Sequence, residues 1–234
     1  MSQKKIELYA DGLNPNEFET NFGIEIDGYT FNPSLFRKQK ASHYLNYSKD
    51  LISKCNGKPI SLEVIADEEN EMINQAKILS SLAENVYVKI PITFTNKKFT
   101  TKVLEKLVSD GIKINLTAIF TMEQVEKVLP ILKESNSILS IFAGRIFDCG
   151  KDAIEIMTKI NQKVKNNSSC KTLWASPRMS YDYINAINCG TDIITMQAAQ
   201  IKKMKMFSKN LEDYSLETVM QFFNDAKDSG FKIK

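Results

Sequence analysis

The amino-acid sequence predicts an α/β protein of the (β/α)8 class, also called the TIM barrel, with an extra helix at its C-terminal end. Eight short strand-like runs recur along the 234 residues. Helical patterns separate most neighbouring runs, and this alternation is typical of strands that pair in parallel. No linker rich in Pro, Gly or Ser divides the chain, so residues 1–234 are expected to form a single domain.

The predicted strands combine period-two alternation with β-branched and aromatic residues. An open, doubly wound sheet is the structural alternative. No GxGxxG sequence follows any of these runs to support a dinucleotide-binding version of that sheet. The eight strands are predicted at residues 6–10, 26–31, 60–66, 86–90, 112–119, 138–143, 172–176 and 192–196.

Two clear helical patterns lie between strands, at residues 67–85 and 121–135. The second begins with Thr121 and Gln124, which have the spacing of a capping box. Pro130 inside this segment predicts a kink or an early break, because proline has no N–H and its ring clashes with the preceding turn.

The extra helix is predicted within residues 211–234 and ends at Gly230. Val219, Phe222 and Phe223 recur near helical spacing, so this helix has an apolar face to bury. We expect that face to pack either on the barrel of its own chain or on a neighbouring subunit.

The bulk composition excludes several classes of function. A formal net charge of +3 gives no support to nucleic-acid binding. No apolar run approaches the roughly 18 residues of a membrane span, and no signal-peptide pattern opens the chain, so a cytoplasmic protein without membrane contact is expected. The four cysteines form no CxxC pair and His43 is the only histidine, so neither a metal nor another cofactor is expected.

Side chains of one parity in each predicted strand share a face. One face is small or aliphatic and suits packing on an outer helix layer, whereas the other carries polar groups toward the carboxyl end of the strand. In the strand at 172–176, this division assigns Leu173 and Ala175 to the helix layer, and Trp174 and Ser176 to the interior. Active sites of barrels lie at the carboxyl ends of the strands. The polar residues expected to converge there are Asp11, Asn32, Glu63, Lys89, Asn115, Thr117, Ser140 and Ser176.

Most of these residues also have an ordinary structural interpretation. Asp or Asn at a strand end often caps a helix or forms a turn, and Thr is common in strands. Lys89 is different, because burying an unpaired charge costs several kcal/mol. It could form a structural ion pair with Glu63. Alternatively, an amine removed from water has a larger neutral fraction, and a neutral amine can attack a ketone to form a Schiff base.

Four sequence motifs, in this order, resemble the transaldolase family, which includes small microbial transaldolases and the related fructose-6-phosphate aldolases. They are YVKIPIT, INLTAIFTMEQ, SIFAGRIFDCG and WASPR. The resemblance covers most of the chain. It implies transfer of a dihydroxyacetone unit through a lysine Schiff base, in the pentose phosphate pathway. The donor would be fructose 6-phosphate or sedoheptulose 7-phosphate, and the acceptor an aldose phosphate.

The resemblance also implies a role for each matching residue. Lys89 would form the Schiff base, Asp11 would transfer a proton during carbon–carbon cleavage, and Glu63 and Thr117 would hold a catalytic water. The implied substrate-binding residues are Asn32, Asn115 and Ser140 for the dihydroxyacetone part, Phe142 beside the imine, and Arg145, Ser176 and Arg178 for the phosphate. For Arg145, a salt bridge with Asp148 at the rim is the structural alternative.

Two positions favour a transaldolase over an aldolase. Similar aldolases tend to have glutamine in place of Glu63 and tyrosine in place of Phe142. The remaining alternatives are an aldolase that releases free dihydroxyacetone, a barrel that binds sugar phosphates without catalysis, and a metal-dependent aldolase or isomerase. Family members of this length that form rings with exchanged helices suggest a homo-oligomer. The chain departs from the family pattern at Phe31, Ile141 and Pro177, so the acceptor preference stays open.

Overall fold

The computed structural model describes residues 6–12 and 23–233, and within them eight parallel strands close into a barrel in chain order. This closure confirms the predicted (β/α)8 class. The strands are β1 (Glu7–Asp11), β2 (Gly28–Thr30), β3 (Ile60–Glu63), β4 (Val86–Pro91), β5 (Ile114–Ile119), β6 (Ile138–Ile141), β7 (Lys171–Trp174) and β8 (Ile193–Met196).

Each of the eight predicted strands is present, but four of them end earlier than predicted. β2 ends at Thr30, β3 at Glu63, β6 at Ile141 and β7 at Trp174. At the end of β6 the backbone of Phe142 leaves the extended region, with ψ of 59°, and Ala143 begins a helix instead of ending a strand. The apolar pattern runs past the strand ends because the loops that follow are also packed.

Helices surround the barrel. They are α1 (Pro33–Lys38), α2 (Tyr44–Lys54), α3 (Glu69–Ser80), α4 (Thr101–Ser109), α5 (Met122–Leu132), α6 (Ala143–Asp148), α7 (Ala153–Asn167), α8 (Asp182–Asn188), α9 (Ala198–Lys203) and α10 (Leu211–Ser229). The predicted capping box of Thr121 and Gln124 starts α5. This helix continues past Pro130 to Leu132, so an early break at the proline was wrong.

The hydrophobic core lies between the strands and the helices. Outward-facing strand residues such as Leu62, Val88 and Leu116 are completely buried there. Each contributes about 1.5–3 kcal/mol through the removal of its side chain from water. A separate apolar cluster around Tyr9, Leu173 and Ile193 fills the interior of the barrel. The polar residues expected at the carboxyl ends of the strands therefore lie above an apolar barrel interior.

Helix α10 has no buried residue. It is capped by Asn210 at its start and by Gly230 at its end, where the glycine takes the left-handed φ of 66°. Its exposed apolar residues are Leu211, Tyr214, Leu216, Val219, Met220, Phe222 and Phe223. Residue 234 of the predicted C-terminal segment lies outside the described residues. In the described part of the chain, no helix has both the length and the apolar composition that crossing a membrane demands.

Candidate active site

A polar cavity of about 350 Å³ opens at the carboxyl ends of the strands. Nine of the eleven residues proposed from the sequence line it, which places the polar strand ends together as the barrel requires. They are Asp11, Asn32, Lys89, Thr117, Ser140, Phe142, Arg145, Ser176 and Arg178. Glu63 and Asn115 do not line this cavity, although both contact residues that do.

Lys89 lies on β4 and is only 6% exposed. Parallel pairing of β3 and β4 sets Glu63 directly beside it, and its Nζ lies 3.0 Å from Oε2 of Glu63. The ammonium also donates a hydrogen bond to the backbone carbonyl of Phe31, at 3.2 Å. The buried cation is therefore paired and hydrogen-bonded, and it also reaches the cavity.

Asp11 ends β1 and faces the same cavity. Its Oδ1 accepts a hydrogen bond of 2.7 Å from the hydroxyl of Thr30. Removal from water raises the pKa of the Asp11 carboxyl, while the Thr30 hydrogen bond and the charge of Lys89 act in the opposite direction. Glu63 adds to the rise, because a second negative charge nearby disfavours ionisation. A carboxyl group in this setting is suited to exchange a proton.

Asn115 and Ser140 form a buried chain of hydrogen bonds with Ser61. Ser140 donates to Oδ1 of Asn115 at 2.7 Å, and Nδ2 of Asn115 donates to the Ser61 hydroxyl at 3.0 Å. Asn115 is fully buried, and of these three hydrogen-bonded residues only Ser140 lines the cavity. The structure thus brings Asn115 to the site indirectly, as the group that orients Ser140.

Thr117 lies on β5 beside an irregularity of the ladder. Leu116 pairs with Leu139 and Ile119 with Ile141, so β5 carries one more residue than β6 across this interval. The residue that follows Thr117, Ala118, takes the left-handed φ of 62°, which is costly for a side chain with a Cβ. Among the described residues, the buried hydroxyl of Thr117 has no hydrogen-bond partner. A water or a substrate oxygen would satisfy it.

Asn32 has the structural role that its residue type suggests and also lines the cavity. Its Oδ1 accepts from the backbone N–H of Leu35 at 2.9 Å and caps α1, which begins with Pro33. The preceding Phe31 is fully buried and its ring packs on Phe36, 5.8 Å between centroids. The amide Nδ2 of Asn32 is the group left to meet a ligand.

Phe142 and Arg145 form the side of the cavity that follows β6. The guanidinium of Arg145 lies over the ring of Phe142, 5.3 Å from its centroid, and the ring of Phe120 packs nearby at 5.7 Å. Arg145 is exposed, and its neighbour Asp148 pairs with Arg178 instead. This leaves the Arg145 guanidinium facing the cavity as a cation held against an aromatic ring.

Arg178 is held by Asp148 and Ser176. Its Nε donates to Oδ1 of Asp148 at 2.8 Å, its Nη2 also contacts that carboxylate, and its Nη1 donates to the Ser176 hydroxyl at 3.1 Å. These hydrogen bonds hold the pKa of Asp148 below its usual range. The arrangement fixes the plane of the guanidinium before any anion arrives.

The assignment of faces on β7 was wrong for three residues. Leu173 and Ala175 line the interior and the cavity, whereas Trp174 points outward and packs near Phe147, 6.0 Å between centroids. Ser176 still faces the cavity, because its φ of 59° interrupts the alternation of the strand. With Trp174 facing outward, a regular strand would turn Ser176 outward as well, and its left-handed backbone instead turns it toward the cavity.

The sequence reasoning missed six polar residues that line the same cavity: Thr30, Ser34, Lys38, Thr195, Gln197 and Gln200. Thr30 and Thr195 stand on β2 and β8 and share a hydrogen bond of 2.6 Å. Lys38 and Gln200 lie on α1 and α9, beyond the strand ends. Thr30 and Asn32 are two positions apart, so strand alternation predicts that both side chains share a face. This was a sequence signal for Thr30. Nothing in a local pattern indicates Lys38 or Gln200.

The fold and the cavity define this chain as a barrel of the kind that carries enzymatic sites at the carboxyl ends of its strands. Residues 8–234 match the family described as Transaldolase/Fructose-6-phosphate aldolase, and the chain belongs to that family of enzymes.

Curated relatives agree with this membership. A probable transaldolase of Bartonella tribocorum is 30% identical over 97% of this chain and 100% of its own length. A probable transaldolase of Caldicellulosiruptor saccharolyticus is 33% identical over 92% of this chain and 96% of its own. Among solved structures, a putative isomerase from Sinorhizobium meliloti shares the fold, with a TM-score of 0.60 at 10% identity, over 87% of this chain and 55% of that one.

Proposed function

We propose that this protein is a transaldolase, which transfers a dihydroxyacetone unit from fructose 6-phosphate or sedoheptulose 7-phosphate to an aldose phosphate. The observation that carries the proposal is the buried amine of Lys89, 3.0 Å from Glu63 and open to a cavity lined by hydroxyl, amide and guanidinium groups. Such a cavity has the chemistry to hold a phosphorylated sugar beside a nucleophile.

In the proposed reaction, the amine of Lys89 attacks the C2 carbonyl of the ketose and water leaves to give a protonated imine. Glu63 takes and returns protons in these steps, since its carboxylate already contacts the amine. The unpaired hydroxyl of Thr117 supports a water position beside them. A water held by Glu63 and Thr117 would carry protons between the carboxylate and the departing oxygen.

Carbon–carbon cleavage then needs a base at the C4 hydroxyl. Asp11 is suited to this role, because it lines the cavity and its hydrogen bond with Thr30 engages one carboxylate oxygen, Oδ1. Asp11 takes the proton of the C4 hydroxyl, and C4 becomes the aldehyde carbon of the departing aldose phosphate. As the C3–C4 bond breaks, its electron pair forms a double bond between C2 and C3, which leaves a neutral enamine on Lys89. The acceptor aldehyde enters and the steps run backward.

The same proposal assigns the binding groups. Asn32 and Ser140, with Asn115 behind it, would bind the dihydroxyacetone hydroxyls. Arg145, Ser176 and Arg178 would bind the phosphate, and both guanidinium groups are already oriented by an aromatic ring or a carboxylate. Preorganised cationic donors lose little conformational freedom when the anion binds.

Two other functions compete with this one. An aldolase would release free dihydroxyacetone, and the resemblance argues against it through Glu63 and Phe142. A silent barrel would bind sugar phosphates without forming an imine. The buried pair of Lys89 and Glu63 is compatible with both alternatives, so kinetics must separate them.

The test is release of triose phosphate from fructose 6-phosphate, with and without erythrose 4-phosphate as the acceptor. Release that requires the acceptor supports a transaldolase. Equal release without it would establish an aldolase. No release from fructose 6-phosphate, and no cleavage of sedoheptulose 7-phosphate in the same assay, would overturn both enzymatic assignments. Insensitivity of the rate to a chelator would remove the metal-dependent alternative.

We further infer that the enzyme works as a homo-oligomer in the cytoplasm. Helix α10 exposes an apolar face that no part of the described chain covers. A groove lined by Leu45, Ile65 and Ile78, all exposed, opens beside Glu63 on the barrel. A second copy of this chain offers a partner with the right chemistry for both surfaces, because each is apolar.

A further inference from the structure

Thr195 and Thr30 connect β8 to β2 inside the barrel. Their hydroxyl oxygens lie 2.6 Å apart, and both residues are buried. Thr30 is also 2.7 Å from Oδ1 of Asp11, so the three side chains form one line of hydrogen bonds from β8 through β2 to β1. Thr195 is the far end of this line, and Asp11 is the end that the proposed reaction uses.

The chemistry of hydroxyl groups fixes the direction of the line. An ionised carboxylate only accepts, so Thr30 must donate its single proton to Asp11. Thr195 must then donate to Thr30. When Asp11 carries a proton it can donate to Thr30, and Thr30 can turn its own proton toward Thr195. The line therefore has one arrangement for each protonation state of Asp11, and every member keeps a partner in both.

We propose that Thr195 is a positioning residue for Asp11: its hydroxyl orients Thr30 toward the carboxylate and reverses when that carboxylate is protonated. This inference rests on the proposed function for its purpose, since a group that takes a proton and returns it needs a stable environment in both states. The hydrogen bonds from Thr195 through Thr30 to Asp11 are present whether or not the proposed function is correct. Thr195 acts through Thr30 and has no assigned contact with the reacting atoms.

Other charged groups also face Asp11. Lys89 of β4 and Glu63 of β3 act on it with opposite signs. Lys38, Arg145 and Arg178 stand farther out on the lining of the cavity. The hydrogen bond of Thr195 goes to Thr30 and not to any of these groups, so replacing the Thr195 hydroxyl changes the line of hydrogen bonds and leaves the charges where they are.

The test is a titration of the Asp11 carboxyl by carbon-13 NMR, assigned by the signal that Asp11→Asn removes. Thr195→Val keeps the shape of the side chain and deletes its hydroxyl. The last donor of a charge-assisted chain is then lost, so the pKa of Asp11 should rise by about half a unit relative to the wild type. Thr195→Ser restores the hydroxyl and should return the wild-type titration. Thr172→Val, another buried strand threonine, is the control and should have no effect.

An unchanged or lowered pKa in Thr195→Val would overturn the proposal. Thr195→Ala serves as a second variant if the valine protein does not fold. The acid limb of kcat/KM should move with the NMR titration in each variant. Because the NMR titration needs no turnover, a wild-type protein without transaldolase activity would reject the proposed function and still leave the role of Thr195 open to this measurement.

Discussion

The amine of Lys89 lies 3.0 Å from a carboxylate oxygen of Glu63, and the two residues are direct neighbours on adjacent parallel strands. This contact agrees with both interpretations of a lysine inside a barrel. As a structural pair, it lowers the cost of burying a cation. As a catalytic pair, it places a proton acceptor next to a nucleophile. The first two predictions separate these interpretations.

Lys89→Met should abolish the capture of dihydroxyacetone on the protein. Reduction with borohydride in the presence of dihydroxyacetone converts an imine into a stable amine, and mass spectrometry of peptides locates it. We expect the wild type to carry the adduct on Lys89 alone. Asp11→Asn is the matched control, because it should stop sugar cleavage and still allow the adduct to form. An adduct on another lysine, or none in the wild type, would contradict the assignment.

Glu63→Ala should lower the free energy of unfolding by about 3 kcal/mol, because Lys89 would remain buried without its counter-charge. The side chain of Glu63 is 20% exposed, so this figure lies at the low end for a buried pair. Glu63→Gln keeps a hydrogen-bond acceptor and should lose less. Urea unfolding measures both variants. Lys54→Ala breaks the surface pair with Asp50 and should stay within about 0.5 kcal/mol, which makes it the control.

Equal stability of the Glu63→Ala variant and the wild type would mean that the ion pair adds nothing to the fold. A large loss of stability together with full activity would favour the purely structural interpretation. We expect activity to fall in both Glu63 variants, and to fall further in alanine.

Strand alternation in the sequence predicts that Lys89 and Glu63 lie together inside the barrel. Alternation in the fourth strand put Lys89 on the inner face, and the third strand placed Glu63 on the same side. On β7 the side chains do alternate, but the faces were predicted the wrong way round, because Leu173 faces the interior and Trp174 faces outward. Ser176 faces the cavity because its left-handed φ interrupts that alternation. A propensity for positive φ is weak in serine, so the sequence offered little warning.

Hydrogen-bond partners far apart in the chain were beyond local reasoning. Thr30 and Thr195 are separated by 165 positions and meet only because β8 closes the barrel against β1. Which of the two arginines pairs with Asp148 is also decided by the tertiary fold, because Arg145 and Arg178 both lie at the rim of the cavity. The sequence could suggest which residues converge there, and the tertiary fold determines which of them pair.

Asp11→Asn should make the protein more stable at neutral pH and nearly inactive. Burial raises the pKa of Asp11 in the folded state, so ionising it there costs more than in the unfolded chain. The stability that the neutral form provides is complete below the unfolded pKa of about 3.9, and it is lost as the pH rises through the folded pKa. Asparagine avoids this loss and should gain about 1 kcal/mol at pH 7.

The gain should shrink as the pH falls and disappear below the unfolded pKa, where both proteins are neutral at this position. Thermal or urea unfolding across that range measures it. Activity should drop by a factor of about 100 to 10,000, as expected for loss of a general base. A variant that is less stable than the wild type at every pH would show that hydrogen bonding, and not desolvation, dominates at Asp11.

Gly144→Ala should weaken the binding of phosphorylated substrates. A Cβ at this position would lie 1.6 Å from the backbone oxygen of Ser176, so the loop that carries Ser176 and Arg178 must move. We expect KM for fructose 6-phosphate to rise about tenfold, which corresponds to about 1.4 kcal/mol. Capture of unphosphorylated dihydroxyacetone on Lys89 should be unchanged.

Gly111→Ala is the control for general destabilisation, because it strains a glycine with φ of 71° at the end of α4 while nothing lies near the added methyl group. This variant should lose stability without a change in KM. If both variants had the same kinetics, the phosphate-binding role of the loop would be wrong.

Removing residues after Asn210 should reduce the size of the particle in solution. Helix α10 is 19 residues long, has no buried side chain and exposes Phe222 at 66% and Phe223 at 69%. Apolar faces of this extent are costly in water, and a second copy of the chain would cover them. Light scattering coupled to gel filtration gives the mass of the full chain and of the shortened one.

Replacing Phe222 and Phe223 by serine in the full chain should have the same effect as truncation, because the apolar face and not the helix length holds the copies together. Asp225→Ser on the same helix is the matched control and should leave the mass unchanged. A monomeric full chain, or an oligomer that survives truncation, would show that α10 does not hold copies together.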